Sequence, residues 1–264
     1  MSEQPDAAAY WSTSLARIQP GEIALRGYPI EQLIGNVSFV DTIWLMLRGE
    51  LPSAGHARLL EAALVAAVDH GPQAPSIAAA RMAMTCGVGL NNAVATGVNL
   101  LGDVHGGAGQ QCMAVLADID RRRREGEELD AIVADVLANH RYLPGFGHRF
   151  HPRDPRRDPL LELVEAAVTD GTVAGHHLRA AQRIEGAIAE RGTKPVPMNI
   201  DGVTAVIYAE LGFPPELGRG LFVLSRSVGI LAHAWEEHQG GIRIKGPIPR
   251  PLLATYTGPA VRDL

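Results

Sequence analysis

The chain has 264 residues, 46% of them hydrophobic and 20% charged, with a formal net charge of −5. That balance excludes a disordered or fibrous chain and leaves room for one large domain, or a large domain with a smaller one. The acidic excess gives no general attraction to nucleic acid or to an anionic membrane, so an anionic ligand must be held by locally placed cations. Those cations are arginines: of 24 basic residues only Lys194 and Lys245 are lysine.

The amino-terminal stretch MSEQPDAAAYWSTS lacks a basic start followed by an apolar run and does not read as a secretory signal. Residues 17–28 place Pro20-Gly21 between Ile18 and the alternating Ile23 and Leu25, the pattern of a small hairpin. Helical spacing then dominates, over 37–48, 57–69, 76–101, 107–121, 127–139, 159–168, 176–191, 200–211 and 215–238. Glycine and proline cut these segments apart, notably at Pro52, Gly71-Pro72, Gly106-Gly107, Pro144-Gly145 and Pro214-Pro215. Residues 241–249 are a second candidate extended piece. The run Arg121–Arg124 reads as a solvated helix end, where cations meet the carboxyl-terminal dipole. The longest apolar stretch, 221–235, is interrupted by Arg226, two serines and His233, so no membrane span is expected. Cys86 and Cys112 lie outside any CxxC pair and fit a reduced, cytoplasmic compartment better than a disulfide framework. The expected fold is mainly α.

Four clusters carry chemistry-bearing residues. His105-Gly106-Gly107-Ala108-Gly109 precedes an apolar helix, where glycines admit a ligand to the backbone and His105 can stand beside a developing oxyanion; a plain tight turn is the other reading. Pro144-Gly145-Phe146-Gly147-His148-Arg149, with His151, Arg153 and Arg156 after it, crowds cations into an irregular loop of an acidic chain, either for an anionic ligand or as a solvated surface. Asn199-Ile200-Asp201-Gly202 opens an apolar helix, so Asp201 is either its amino-terminal cap or a group facing a cleft with His105 and His148. Arg226 lies inside an apolar helix, where a charge costs several kcal/mol, of order three or more, unless an internal carboxylate or a substrate carboxylate meets it. Ten histidines raise the question of a metal, but none falls in an HExxH or Cys-His zinc pattern, and no Walker loop, GxGxxG or GxSxG element is present; no metal site is expected.

Taken in order, these segments resemble the citrate synthase family over most of the chain. Arg26-Gly27-Tyr28-Pro29-Ile30-Glu31-Gln32-Leu33 is similar to its RGYPIEEL element and Gly49-Glu50-Leu51-Pro52 to its GELP. Asp69-His70-Gly71 resembles DHE or DHG, Val104–Ala108 resembles LHGGA, and residues 145–149 resemble GFGHR, with Asp154-Pro155-Arg156 after it. Asn199-Ile200-Asp201 is similar to NVD, Ser225–Gly229 to ARTVG, Ala232-His233 to the AH that follows, and Tyr256-Thr257-Gly258 to the terminal YTG. There are departures: Gly109-Gln110 stands where Asn-Glu is usual, one residue is missing between His148 and Asp154, and Arg250 is shifted by one place from the arginine of the terminal segment.

The resemblance implies a citrate synthase-like helical fold with a large and a small domain closing over an acyl-CoA and a 2-oxo acid. On this chain the parts fall at 1–140 (large domain, first part), 141–230 (small domain) and 231–264 (return to the large domain). It implies catalytic roles for His105, His148 and Asp201, dicarboxylate contacts from His70, Arg156, Arg226 and Arg250, and coenzyme A contacts from Gly145, Phe146 and Gly147. It implies no permanently bound cofactor, coenzyme A thioester being a substrate. Full-length synthases carry a long helical stretch between GELP and DHE, whereas here only residues 53–68 separate these elements. The compact form resembles stand-alone citryl-CoA lyases and the lyase module of ATP-citrate lyase, so the expected reaction is cleavage of citryl-CoA to acetyl-CoA and oxaloacetate. A small citrate or 2-methylcitrate synthase is the alternative, and a noncatalytic acyl-CoA or carboxylate binder a third. The apolar surplus on helices 76–101 and 215–235 leads to an expected homodimer.

Overall fold

In the computed structural model, which describes residues 7–148, 151–192, 195–245 and 255–263, the hairpin forms where Pro20-Gly21 predicts it. Strands β1 (Ala16–Gln19) and β2 (Glu22–Leu25) pair antiparallel around Gly21, whose φ of 77° is one that glycine adopts without strain. A two-residue strand β3 (Tyr28–Pro29) completes a sheet of order β1-β2-β3. Helices account for nearly all other regular structure: α1 (Ala7–Tyr10), α2 (Ile30–Leu33), α3 (Phe39–Arg48), α4 (Ala54–Ala67), α5 (Pro75–Thr85), α6 (Leu90–Val98), α7 (Ala108–Arg124), α8 (Leu129–Asn139), α9 (Arg157–Thr169), α10 (His176–Arg191), α11 (Ile200–Glu210) and α12 (Pro215–Gln239). No helix among the described residues is long and apolar enough to cross a membrane.

Two expectations change. The single helix over 76–101 is two, α5 and α6, because Gly87 takes φ 83° and ends the first. The extended piece expected at 241–249 is not a strand over 241–245, and its remainder lies outside the described residues.

The chain divides into two compact units, Met1–Ala67 with Gly106–Phe222 and Val68–His105 with Val223–Leu264. These cuts fall elsewhere than the expected borders at 140/141 and 230/231. The irregular segment after Pro144 is stitched into the first unit by an isolated bridge between Phe146 and Met198, so no border opens there.

In the first unit α11 is the hub. Residues Gly202–Tyr208 are all buried, because the sequence Val-Thr-Ala-Val-Ile-Tyr offers almost no polar face, and the helix packs against α4, α7, α9 and α10. Each fully buried Val or Ile there contributes roughly 1.5–3 kcal/mol. Glu210 fastens its far end by accepting from the N–H groups of Gly175, His177 and Leu178 at the start of α10.

The second unit is smaller and packs on small residues: Ala74, Ile77, Ala80 and Ala93 meet Ile230 and Ala234 of α12. A Cβ on Gly97 would fall 2.6 Å from the Ser76 carbonyl and 2.8 Å from Ile230 Cγ2, so only glycine allows α6 this close. A buried carboxylate, Glu237, bonds both Arg81 Nε (2.6 Å) and Lys245 Nζ (2.6 Å), fastening the end of α12 to α5 and to the segment after it.

Candidate active site

In the first unit, two segments distant in sequence are zipped together. Gly147 N–H donates to the Pro197 carbonyl (2.8 Å), Asn199 N–H to the Gly145 carbonyl (2.9 Å) and Asn199 Nδ2 to the Gly147 carbonyl (2.6 Å). This ladder needs two glycines face to face. Gly145 has φ 87°, and a Cβ there would lie 2.8 Å from both Gly202 Cα and Cys112 Sγ; a Cβ on Gly202 would collide with the Gly145 carbonyl oxygen. The crossing delivers His148 to the amino-terminal end of α11, within electrostatic reach of Asp201, Asp154 and Arg156.

The cap of α11 is Asn199, whose side chain accepts from Gly202 N–H. Asp201 is therefore not the cap. The apolar run begins at Ile200, so the residue just before it fills that position and Asp201 sits in the first turn, half-buried. Beneath it, the Cys112 thiol is pushed up to about 12 by burial, with the Asp201 charge adding to the rise, and it stays neutral.

Asp154 is the polar hub. Its side chain is 0% exposed and accepts from Arg156 Nε (2.9 Å), Nη2 (2.8 Å) and N–H (3.0 Å), and from the Ile200 N–H (3.1 Å). Burial raises its pKa, but these donors and the Arg156 charge outweigh that and bring it down to about 2. Arg156, expected to meet substrate, thus spends two of its nitrogens on Asp154. Arg153 likewise pairs with Asp158 at 2.6 Å, so much of the cationic crowd is internally matched. The arginines of 121–124, at the end of α7, pair with Asp118, Asp120, Glu125, Glu127, Glu128 and Asp135, as a solvated helix end does.

Burial depresses the His148 pKa from the usual 6.5; His151 and Arg156 act in the same sense, Asp154 and Asp201 against it. His148 Nδ1 accepts from the His151 N–H (3.0 Å), so the neutral ring carries its proton on Nε2.

The second unit holds His105, His70 and Arg226. The His105 ring reaches back to the start of α5, where no side chain of that helix caps it. Its Nε2 accepts from Ser76 N–H (3.2 Å) and from Ser76 Oγ (3.0 Å), so the neutral ring carries its proton on Nδ1. Burial depresses its pKa, and the Arg226 charge depresses it further. Arg226 is 5% exposed, an ion within α12, while His70 is exposed in the turn after α4. Arg250 and Arg149 lie outside the described residues. No group of three or more His, Cys, Asp or Glu suited to a metal occurs among the described residues.

Sequence reasoning missed Ser76, Asn199 and Asp154 as the groups that orient these side chains. Only Asn199 left a signal, being the capping-type residue directly before the apolar run.

A mainly helical fold with a small three-stranded sheet is the architecture of the citrate synthase class. The family sequence model "Citrate synthase, C-terminal domain" matches residues 53–251, and the chain belongs to the citrate synthase family. It is 33% identical over 216 residues to the citrate synthase of Haloferax volcanii and 31% identical over 223 residues to that of Acidithiobacillus ferridurans. Each match covers 81% of this chain and 53% of the relative, so the chain spans about half the length of these synthases. The solved structure of citryl-CoA lyase from Hydrogenobacter thermophilus is similar over 96% of this chain and 97% of its own, with 33% identity and a TM-score of 0.86.

Proposed function

We propose that the chain is a citryl-CoA lyase that cleaves citryl-CoA to acetyl-CoA and oxaloacetate. The observation that carries this reading is the likeness to the Hydrogenobacter lyase over 96% of this chain and 97% of its own, at 33% identity.

The residue chemistry fits a retro-Claisen step. The citryl hydroxyl loses its proton to His148, the bond between the hydroxyl carbon and the acetyl methylene breaks, oxaloacetate leaves, and the electron pair passes to the acetyl thioester as an enolate. His105, neutral with Nδ1–H, is the donor for the thioester oxygen that gains charge, an imidazole of lowered pKa doing this without itself being an imidazolium. Asp201, entering the cleavage as the carboxylic acid, gives its proton to the methylene carbon and is left as the carboxylate, the hydroxyl proton remaining on His148 until solvent restores both groups. His148 bonds the hydroxyl oxygen; to take its proton the ring must exchange the His151 N–H contact and present a bare Nε2, whereas in the reverse direction Nε2–H already points the proton at the oxaloacetate carbonyl. Arg226, and Arg156 through the nitrogen that Asp154 does not engage, hold substrate carboxylates. Gly145–Gly147 lie against coenzyme A.

The second reading, a small citrate or 2-methylcitrate synthase, is favoured by the names of the sequence relatives. Two incubations separate them. Citryl-CoA yielding oxaloacetate without free thiol marks the lyase; acetyl-CoA or propionyl-CoA with oxaloacetate yielding free coenzyme A marks the synthase; silence in both overturns the enzyme reading in favour of a binding protein. We also infer a homodimer: Leu224, Val228, Leu231 and Trp235 recur at four- and three-residue spacing along α12 and are exposed, an apolar row that a second copy would cover. Light scattering at the mass of one chain would overturn it.

A further inference from the structure

Beside the proposed carboxylate-binding residues of the second unit is a side-chain pair to which no role has been given. The turn Val68–Gly71, which carries His70, is strapped to α12. Asp69 Oδ1 lies 3.2 Å from His233 Nε2, and Asp69 Oδ2 accepts from the Gly71 N–H at 3.2 Å. The His70 N–H also bonds this carboxylate, and these contacts together with His233 outweigh burial and lower the Asp69 pKa. One turn earlier on α12 stands Gly229, where a Cβ would collide with the Val68 carbonyl oxygen and fall 3.0 Å from Asp69 Oδ1. Arg226, Gly229 and His233 share one face of the helix, with seven residues, or about 10 Å of rise, from Arg226 to His233.

We propose that Asp69 and His233 are positioning residues that fix the 68–71 turn, and with it His70, at a set distance along α12 from Arg226. The pair is ill suited to simple fastening: the Asp69 side chain is 44% exposed, where an ion pair adds little stability. Fastening of the same helix is already done by Glu237 between Arg81 and Lys245. His233 Nδ1 is buried with no hydrogen bond and lies 3.7 Å from Glu236 Oε2, so the ring is oriented by Asp69 through Nε2–H. The glycine that brings the turn against the helix serves the same end, since a larger residue would lift His70 away from the Arg226 face. Two ligands of one dicarboxylate must be held to a fraction of an ångström, and a backbone turn alone does not provide that.

The inference rests on the proposed dicarboxylate reading of His70 and Arg226. The test is calorimetric titration of the full chain with oxaloacetate and, separately, with coenzyme A, for H233A, H233Q and D69N. H233A and D69N are expected to weaken oxaloacetate binding about tenfold, the loss of one hydrogen bond to a charged group, while coenzyme A binding stays within about twofold. H233Q, which restores a donor near the Nε2 position, should recover most of the loss. Unchanged oxaloacetate affinity in both H233A and D69N overturns the proposal, as does a parallel loss of both ligands that H233Q fails to repair. D69N, at a half-exposed carboxylate, carries the test should H233A not fold. A wild-type chain that binds neither oxaloacetate nor citrate overturns the functional reading and this inference with it.

Discussion

His105 and His148 both titrate below the ordinary imidazole value, and they are brought there by different means. Around His105 every influence acts in one direction: burial and the Arg226 charge both disfavour the imidazolium, and Ser76 N–H at a helix start occupies the nitrogen that would take the proton. Around His148 the influences oppose one another, Asp154 and Asp201 favouring the proton and burial, His151 and Arg156 disfavouring it. A one-sided environment makes a permanent donor. A balanced one makes a group whose proton affinity changes when a neighbouring carboxylate or arginine is engaged, which suits a residue that must exchange a proton during turnover.

The contrast can be broken at several points. Asp201→Ala removes the proposed proton donor to carbon and one of the two charges that raise His148. Citryl-CoA cleavage should fall about a thousandfold with the melting temperature held, and turnover within tenfold of wild type would remove Asp201 from its role. Asp154→Ala takes away the buried partner of Arg156 and of the Ile200 N–H. Urea unfolding should show a loss of about 2–4 kcal/mol, and His148, followed by NMR, should titrate lower still. Arg226→Met removes the charge that, after burial, lowers His105, so its midpoint should move up towards 6.5, while carboxylate binding weakens more than coenzyme A binding; equal losses would point to a structural ion.

The smallest effect is on stability against pH. Both histidines have folded-state pKa values below 6.5, so between those midpoints and 6.5 the unfolded chain binds more protons. Their contribution is complete above pH 6.5 and declines as pH falls through that window. Stability that instead rose on acidification from 7 to 5 would contradict the assigned neutral states.

The helical character, most helix ends and the hairpin were legible because they follow from local spacing and from Gly-Pro punctuation. The break between α5 and α6 was not, since an unbroken apolar period ran across Gly87. At the site, His148, Asp201 and the glycines of 145–147 stood out as short patterns. What orients them did not: Asp154 acts on Ile200 and Ser76 on His105 only because the fold brings segments far apart in sequence together. Spacing alone left Asp201 open between a cap and a cleft-facing group, because aspartate commonly caps helices, and the better-placed Asn199 two residues earlier takes the cap position. That Arg156, expected to meet a dicarboxylate, is also engaged by Asp154 was not legible, because nothing in the sequence shows that the aspartate two places before it is wholly buried.

The Gly145–Gly202 crossing has a consequence for how this chain can change. A side chain at either place would push the same two backbones apart, so the two glycines act as one requirement written at two addresses. Their losses do not add, since after the first there is no close approach left for the second to spoil. A lineage that gave up Gly145 would be released from keeping Gly202, whereas Gly145 would still be held by its φ of 87° and by Cys112 Sγ, so the requirement is lost from one side only.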